Sequence, residues 1–275
     1  MATHTALGSL LALSVVPAGQ PIPWDRCAIG LVLWVVFLNG GTLAINSAFD
    51  RDEGDIAYLR RPPPPPPHLF LWGLVLMVLG LAMGLALLSP AFSAVYALCL
   101  ILSLLYSVPP WRLKAVAGAD WAINMVGFGT LTPLAGWLAT GREVTTWGWL
   151  LMAGFGPLFA ALYPLTQLYQ ADEDRARGDR TLALMLGMRP SLWIAVLATL
   201  AGFALFGAAG VASGWHRTSW QWLALSVALV AWLLVLVPWL RTADSRSAAE
   251  HQRGMYLALA AWAVTDAAIA SSWLL

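Results

Sequence analysis

Charge is what this chain has least of. Only 11% of its 275 residues are Asp, Glu, Lys or Arg, less than half the share in an ordinary soluble domain, whereas 60% are hydrophobic and 16 are Trp. That composition excludes a soluble globular fold and describes a polytopic membrane protein. The formal net charge of +1 supplies no basic surface for a phosphate backbone, so nucleic acid is not expected as a partner. Cysteine is almost missing too. Cys27 and Cys99 lie far apart inside apolar runs and read as packing residues, not as a disulfide or a metal pair. His4, His68, His216 and His251 fall in four separate segments with no paired spacing, which excludes an ordinary zinc or haem site. No Lys or Arg precedes the first apolar run, so residues 1–20 read as a short membrane helix and not as a cleaved signal peptide.

What is present is a series of apolar runs, each long enough to cross a bilayer as a helix. Nine are expected, over residues 4–20, 27–49, 68–88, 91–107, 116–140, 147–171, 189–213, 219–240 and 253–274. The connections after the even-numbered runs carry 12 of the 15 basic residues, and the opposite connections carry only Arg26, Arg142 and Arg217. The positive-inside rule then puts the connections after the even-numbered runs in the cytoplasm. Pro62 to Pro67 between the second and third runs predict a short polyproline II spacer.

The scarce acids are concentrated. Eight of the 14 lie in two windows, Asp50-Arg51-Asp52-Glu53-Gly54-Asp55 and Asp172-Glu173-Asp174-Arg175-Ala176-Arg177-Gly178-Asp179, each closing an apolar run on the same expected side. Clustered carboxylates at a membrane surface repel one another unless a cation is held there, and the interspersed Arg suits an anionic ligand. Oxygen ligands without His or Cys favour magnesium, so a magnesium-bound phosphate ester fits both requirements. Asn46 and Asp50 are one helical turn apart and share a face. A third element, Tyr106-Ser107-Val108-Pro109-Pro110-Trp111-Arg112-Leu113-Lys114, closes the fourth run, and its Arg fork and lone lysine suit the oxygens of a diphosphate. Asp120 and Asn124 share a face of the fifth run. Asn124 reads as a pocket residue and Asp120 as that residue or a helix-end cap, while Asp266 reads as a helix–helix hydrogen bond or an acceptor contact.

These residues resemble the UbiA-type intramembrane prenyltransferases over almost the whole chain. Asn46 and Asp50 match two positions of that family's first motif, with Ser47 at a third and Gly54 where its last Asp stands, one residue before Asp55. Arg61-Pro62 and Tyr106 to Lys114 are similar to the chlorophyll synthase branch. In the second motif Asp174, Gly178 and Thr181 match, Gln170 replaces the first Asp, and Asp172 is the nearest carboxylate. The resemblance implies an all-α bundle of about nine transmembrane helices in a single domain, around a cavity that opens near the cytoplasmic side of a bacterial inner membrane.

It also implies transfer of an isoprenyl chain from an allylic prenyl diphosphate to a lipophilic acceptor, with Mg2+ as cofactor and membrane lipid as surroundings. The implied metal ligands are Asn46, Asp50, Asp55, Asp172 and Asp174. Asp50, Asp174, Arg112, Lys114 and Tyr106 are the implied catalytic residues. Substrate contacts fall to Asn46, Arg51, Arg61, Asn124, Gln170, Arg175, Tyr163 and Tyr169. Ionisation leaves an allylic cation, for which the aromatic faces of Tyr106, Tyr163, Tyr169, Trp121 and Phe128 are candidates. A terpene cyclase on the same scaffold, a non-catalytic prenyl-lipid binder and a secondary transporter using the acids as a cation site are the alternatives.

Overall fold

The computed structural model describes residues 1–50, 64–170, 175, 181–216 and 219–275, and every regular element among them is helical. In chain order these are α1 (Ala2–Leu13), α2 (Trp24–Asp50), α3 (Leu69–Leu87), α4 (Pro90–Ser107), α5 (Ala119–Ala139), α6 (Thr146–Leu168), α7 (Leu182–Leu186), α8 (Met188–Ala212), α9 (Trp220–Arg241) and α10 (Ala248–Leu274). Eight of them, all but α1 and α7, are apolar and 18–27 residues long. At 1.5 Å per residue they run about 27–40 Å, enough to cross a hydrocarbon core of about 30 Å.

Local chemistry sets their ends. Ser89 accepts the Phe92 N–H at 3.2 Å and Pro90 starts α4, while Thr145 accepts the Gly148 N–H at 3.1 Å to start α6. Ser247 and Glu250 form a capping box, which is why α10 begins at Ala248 and not at 253. Of Pro62 to Pro67, residues 64–66 have no regular element and the first two lie outside the described residues.

Eight helices among the described residues, where nine were expected, are long and apolar enough to cross a membrane by length and composition, because the first run forms a helix of 12 described residues, about 18 Å long. Pro17, Gly19 at φ +84° and Pro21 follow it and prevent its continuation to residue 20. It is nevertheless packed tightly against the second half of α5. A Cβ on Gly8 would lie 1.8 Å from the Pro133 carbonyl oxygen, and one on Gly136 would lie 1.9 Å from that of Thr5. Small residues therefore set this crossing, as Gly154 and Gly202 set that of α6 and α8.

The hydrophobic core gathers on α6. In its most apolar window 67% of residues are buried, against 22% for α3, so α6 is central and α3 faces lipid. Helices α2 and α5 share an irregularity: each contains a π-helical stretch, Leu33–Asn39 in the first and Met125–Leu131 in the second. Such insertions widen a helix locally and turn side chains off the regular face. Both stretches border the cavity described next.

Candidate active site

Three elements meet at the end of α2. Asn46 and Asp50 project from its last turns, and the segment after α4 folds back over them. Val108, Pro109 and Pro110 stop α4, Arg112 takes a left-handed conformation at φ +36°, and a single 3₁₀ turn, Leu113–Ala115, carries Lys114. The Lys114 ammonium donates to Asn46 Oδ1 at 3.0 Å and is ion-paired with Asp50 Oδ1. Ser107 Oγ donates to the same Asn46 oxygen at 3.2 Å, and Arg112 Nη2 stands 3.7 Å from Asp50. Lys114 is 12% exposed and Asp50 17%, so this pair is shielded, whereas Arg112 at 42% faces outward. A lysine ammonium against an amide oxygen and a carboxylate marks a place of negative potential. Its oxygen donors are the kind a hard divalent cation takes. Asp55, Asp172, Asp174, Arg51 and Arg61 lie outside the described residues.

Beneath Asn46 a cavity opens between α2, α4 and α5. Trp34, Leu38, Thr42 and Asn46 line it from α2, Cys99, Ser103 and Tyr106 from α4, and Asn124, Gly127 and Phe128 from α5. Tyr106 is hydrogen-bonded through its hydroxyl to that of Tyr163 at 3.0 Å, and Asn124 Nδ2 donates to the Asp120 carbonyl at 2.8 Å. Phe128 stacks on Phe159 at 5.4 Å between centroids, and Phe159 on Tyr163 at 6.4 Å. The structure thus brings Asn46, Asp50, Tyr106, Arg112, Lys114, Asn124 and Tyr163 together. Trp121 is directed elsewhere, its indole N–H bonded to the Ala160 carbonyl at 2.9 Å. Tyr169 ends α6, Gln170 follows in a turn, and Arg175 is exposed. None of these last three is among the residues lining the cavity.

Two polar residues matter more than their sequence context suggests. Asp120 is fully buried at the start of α5, where its carboxylate accepts from the N–H of Gly118, the residue that precedes the helix, at 2.9 Å and from Gln167 Nε2 at 2.8 Å. Gln167 also accepts the Ala183 N–H on its Oε1 at 3.2 Å. One side chain therefore fastens α7, which follows the second acid window, to α6 and to the start of α5. Its only sequence signal is its place one turn beyond Tyr163 on the same face. Asp266 in α10 sits 3.0 Å from His4 Nε2, which joins the last helix to the first.

The match to known proteins follows the same outline. The model of the UbiA prenyltransferase family matches residues 6–262, nearly the whole chain. The chain belongs to the UbiA prenyltransferase family. Its UbiA-type bundle is similar in fold to a UbiA homolog from Archaeoglobus fulgidus bound to DMAPP and Mg2+, with a TM-score of 0.66 at 18% identity, covering 96% of this chain and 94% of that one. The same archaeal protein has been seen with GPP and Mg2+. A digeranylgeranylglyceryl phosphate synthase superimposes with a TM-score of 0.74 at 15% identity, covering 99% and 93% of the two chains. In sequence, the UbiA-family chain is 31% identical over 202 residues to the probable homogentisate phytyltransferase 2, chloroplastic, of Oryza sativa subsp. japonica. That match takes in 67% of this chain and 52% of the rice protein, so the chain spans about half the length of that relative.

Proposed function

We propose that this UbiA-family protein is a single-domain integral-membrane prenyltransferase that moves an isoprenyl chain from an allylic diphosphate to a lipophilic acceptor. The observation that carries the reading is the Asn46, Asp50, Lys114 and Arg112 cluster set at the mouth of an apolar cavity. A charged head and a hydrocarbon tail joined in one molecule would need those two environments side by side. The relatives that bind DMAPP or GPP with Mg2+ support the same reading.

In this proposal Asn46 and Asp50, with Asp55, Asp172 and Asp174, hold magnesium. The bound metal supplies the positive charge that allows carboxylates to face a diphosphate. Lys114 and Arg112, joined by Arg51, Arg61 and Arg175, bind the non-bridging oxygens and stabilise the charge that grows as the C–O bond breaks. Tyr106 and Phe128 present ring faces to the allylic carbon, Tyr163 holds Tyr106 in place, and Asn124 fixes the acceptor at the cavity wall. The surrounding helices exclude water, which delays capture of the cation. Gln170 and Tyr169 border the second acid window. The active-site face is cytoplasmic in this reading, following the distribution of basic residues.

The test is incubation of the purified protein in detergent with radiolabelled prenyl diphosphates, magnesium and a panel of lipophilic acceptors, followed by extraction of labelled product. A cyclised hydrocarbon formed without acceptor would replace transfer by cyclase chemistry. Donor binding with no turnover on any acceptor would leave a lipid binder.

A further inference from the structure

One buried amide ties two charge-bearing parts of the chain together. Gln167, near the end of α6, donates from Nε2 to Asp120 Oδ2 at 2.8 Å and accepts the Ala183 N–H on Oε1 at 3.2 Å. A backbone N–H can only donate, so Ala183 fixes which end of the amide is oxygen and leaves its NH2 for the carboxylate. On its other oxygen Asp120 accepts the Gly118 N–H at 2.9 Å and so braces the turn, left-handed at Gly118 with φ +87°, that leads from the Lys114 segment into α5. The Lys114 turn ends just before Gly118, and the second acid window, residues 172–179, ends just before α7.

Helix α7 cannot hold its own place. It is five residues long, far below the length of about 12–15 at which an isolated helix persists, and its N-cap Thr181 makes no side-chain cap bond. Its position is set by packing on α6 and α8 and by the Gln167 bond to its second residue. Asp120, Gln167 and Ala183 are all buried, so water does not compete for these bonds and their directions are kept. Tyr163 lies one turn before Gln167 on the same face of α6 and holds Tyr106 at the cavity. The Lys114 turn, the start of α7 and the cavity tyrosine are thus tied to one face of one helix.

We propose that Gln167 is a positioning residue for the reaction: through Asp120 it sets where the Lys114 turn stands relative to the start of α7, from which the second acid window departs. The proposal rests on the prenyl-transfer reading above, in which Lys114 and that window serve one magnesium-bound diphosphate. Groups that only orient ligand-bearing segments commonly change metal affinity by about tenfold to a hundredfold when lost, without touching the metal. The polarity of this bridge can also be reversed. Asp120→Asn keeps an acceptor for the Gly118 N–H and turns a donor toward residue 167, while Gln167→Glu can accept that donor on one oxygen and the Ala183 N–H on the other.

The test measures the magnesium concentration for half-maximal binding of a radiolabelled prenyl diphosphate, of the chain length that the wild type binds most tightly, beside the unfolding temperature in detergent. Gln167→Glu sets two carboxylates face to face, and Asp120→Asn sets two amide donors face to face with almost no change of shape. Each is expected to raise that magnesium concentration about tenfold or more, and the double variant should return it to within about threefold of the wild type. A lower unfolding temperature in the single variants fits a structural role equally well, so the magnesium requirement decides. Folded single variants with the wild-type requirement would assign the bridge to stability alone and overturn the proposal while leaving prenyl transfer standing. A folded double variant as impaired as the single ones, or single variants that fold only when combined, would overturn it too. A wild type that binds no prenyl diphosphate, or binds it without regard to magnesium, would overturn the prenyl-transfer reading itself.

Discussion

The Lys114 ammonium bridges Asp50 and Asn46, so removing any one of the three changes the charge and hydrogen bonding of the whole cluster. Asp50→Ala is expected to lower turnover by at least about a hundredfold, the scale on which loss of one charge-stabilising group acts. The protein should stay folded, because the side chain is a ligand and not packing. Unaltered gel filtration with lost product formation is the expected pair of results, whereas near-normal turnover would shift the metal site to Asp52 and Asp55. Lys114→Ala should lower kcat by a similar factor, with donor binding still dependent on magnesium and abolished by a chelator. Gln167 belongs to another class of residue. Gln167→Leu leaves the buried Asp120 carboxylate and the Ala183 N–H without this partner and should cost about 1–3 kcal/mol, read as a lower unfolding temperature in detergent.

At the level of helices, close backbone approach decides which substitutions the bundle accepts. Gly136→Val would drive side-chain atoms into the Thr5 carbonyl of α1, where even a Cβ would sit 1.9 Å away, so α1 must leave its seat on α5. Loss of monodisperse protein on extraction is the expected outcome. Gly207→Ala in α8 is the control, since its added Cβ meets nothing nearer than Trp222 at 3.7 Å. It should be neutral or stabilise the helix by up to about 1 kcal/mol. Both π stretches, in α2 and α5, border the cavity, which ties these irregular turns to the site and not to the lipid-facing helices.

The orientation of the whole molecule is open to a direct measurement, and both native cysteines are buried, which keeps the labelling background low. Ser245 and Glu143 are exposed in connections at opposite ends of the spans. Ser245→Cys should react with an impermeant thiol reagent only from the cytoplasmic side, and Glu143→Cys only from the other. The reverse pattern would place the acid windows outside the cell and contradict the positive-inside reading.

The sequence alone determined the eight spans, because length and apolarity suffice to commit a segment to the bilayer. It also determined the Asn46, Asp50 and Lys114 group, since a charge in so apolar a chain stands out wherever it falls. It misjudged the first run, where Pro17, Gly19 and Pro21 cut an apolar stretch to 12 helical residues, a local backbone effect that composition does not register. The burial of Asp120 and its bond to Gln167, the pairing of Asp266 with His4, and the meeting of α2, α4 and α5 around the cavity were decided only by tertiary structure. In a chain with 16 Trp and long apolar helices, each such residue fits many neighbours equally well. Which one it meets depends on how closely the helices approach and how they are rotated, and those are set by small-residue crossings between segments distant in the chain.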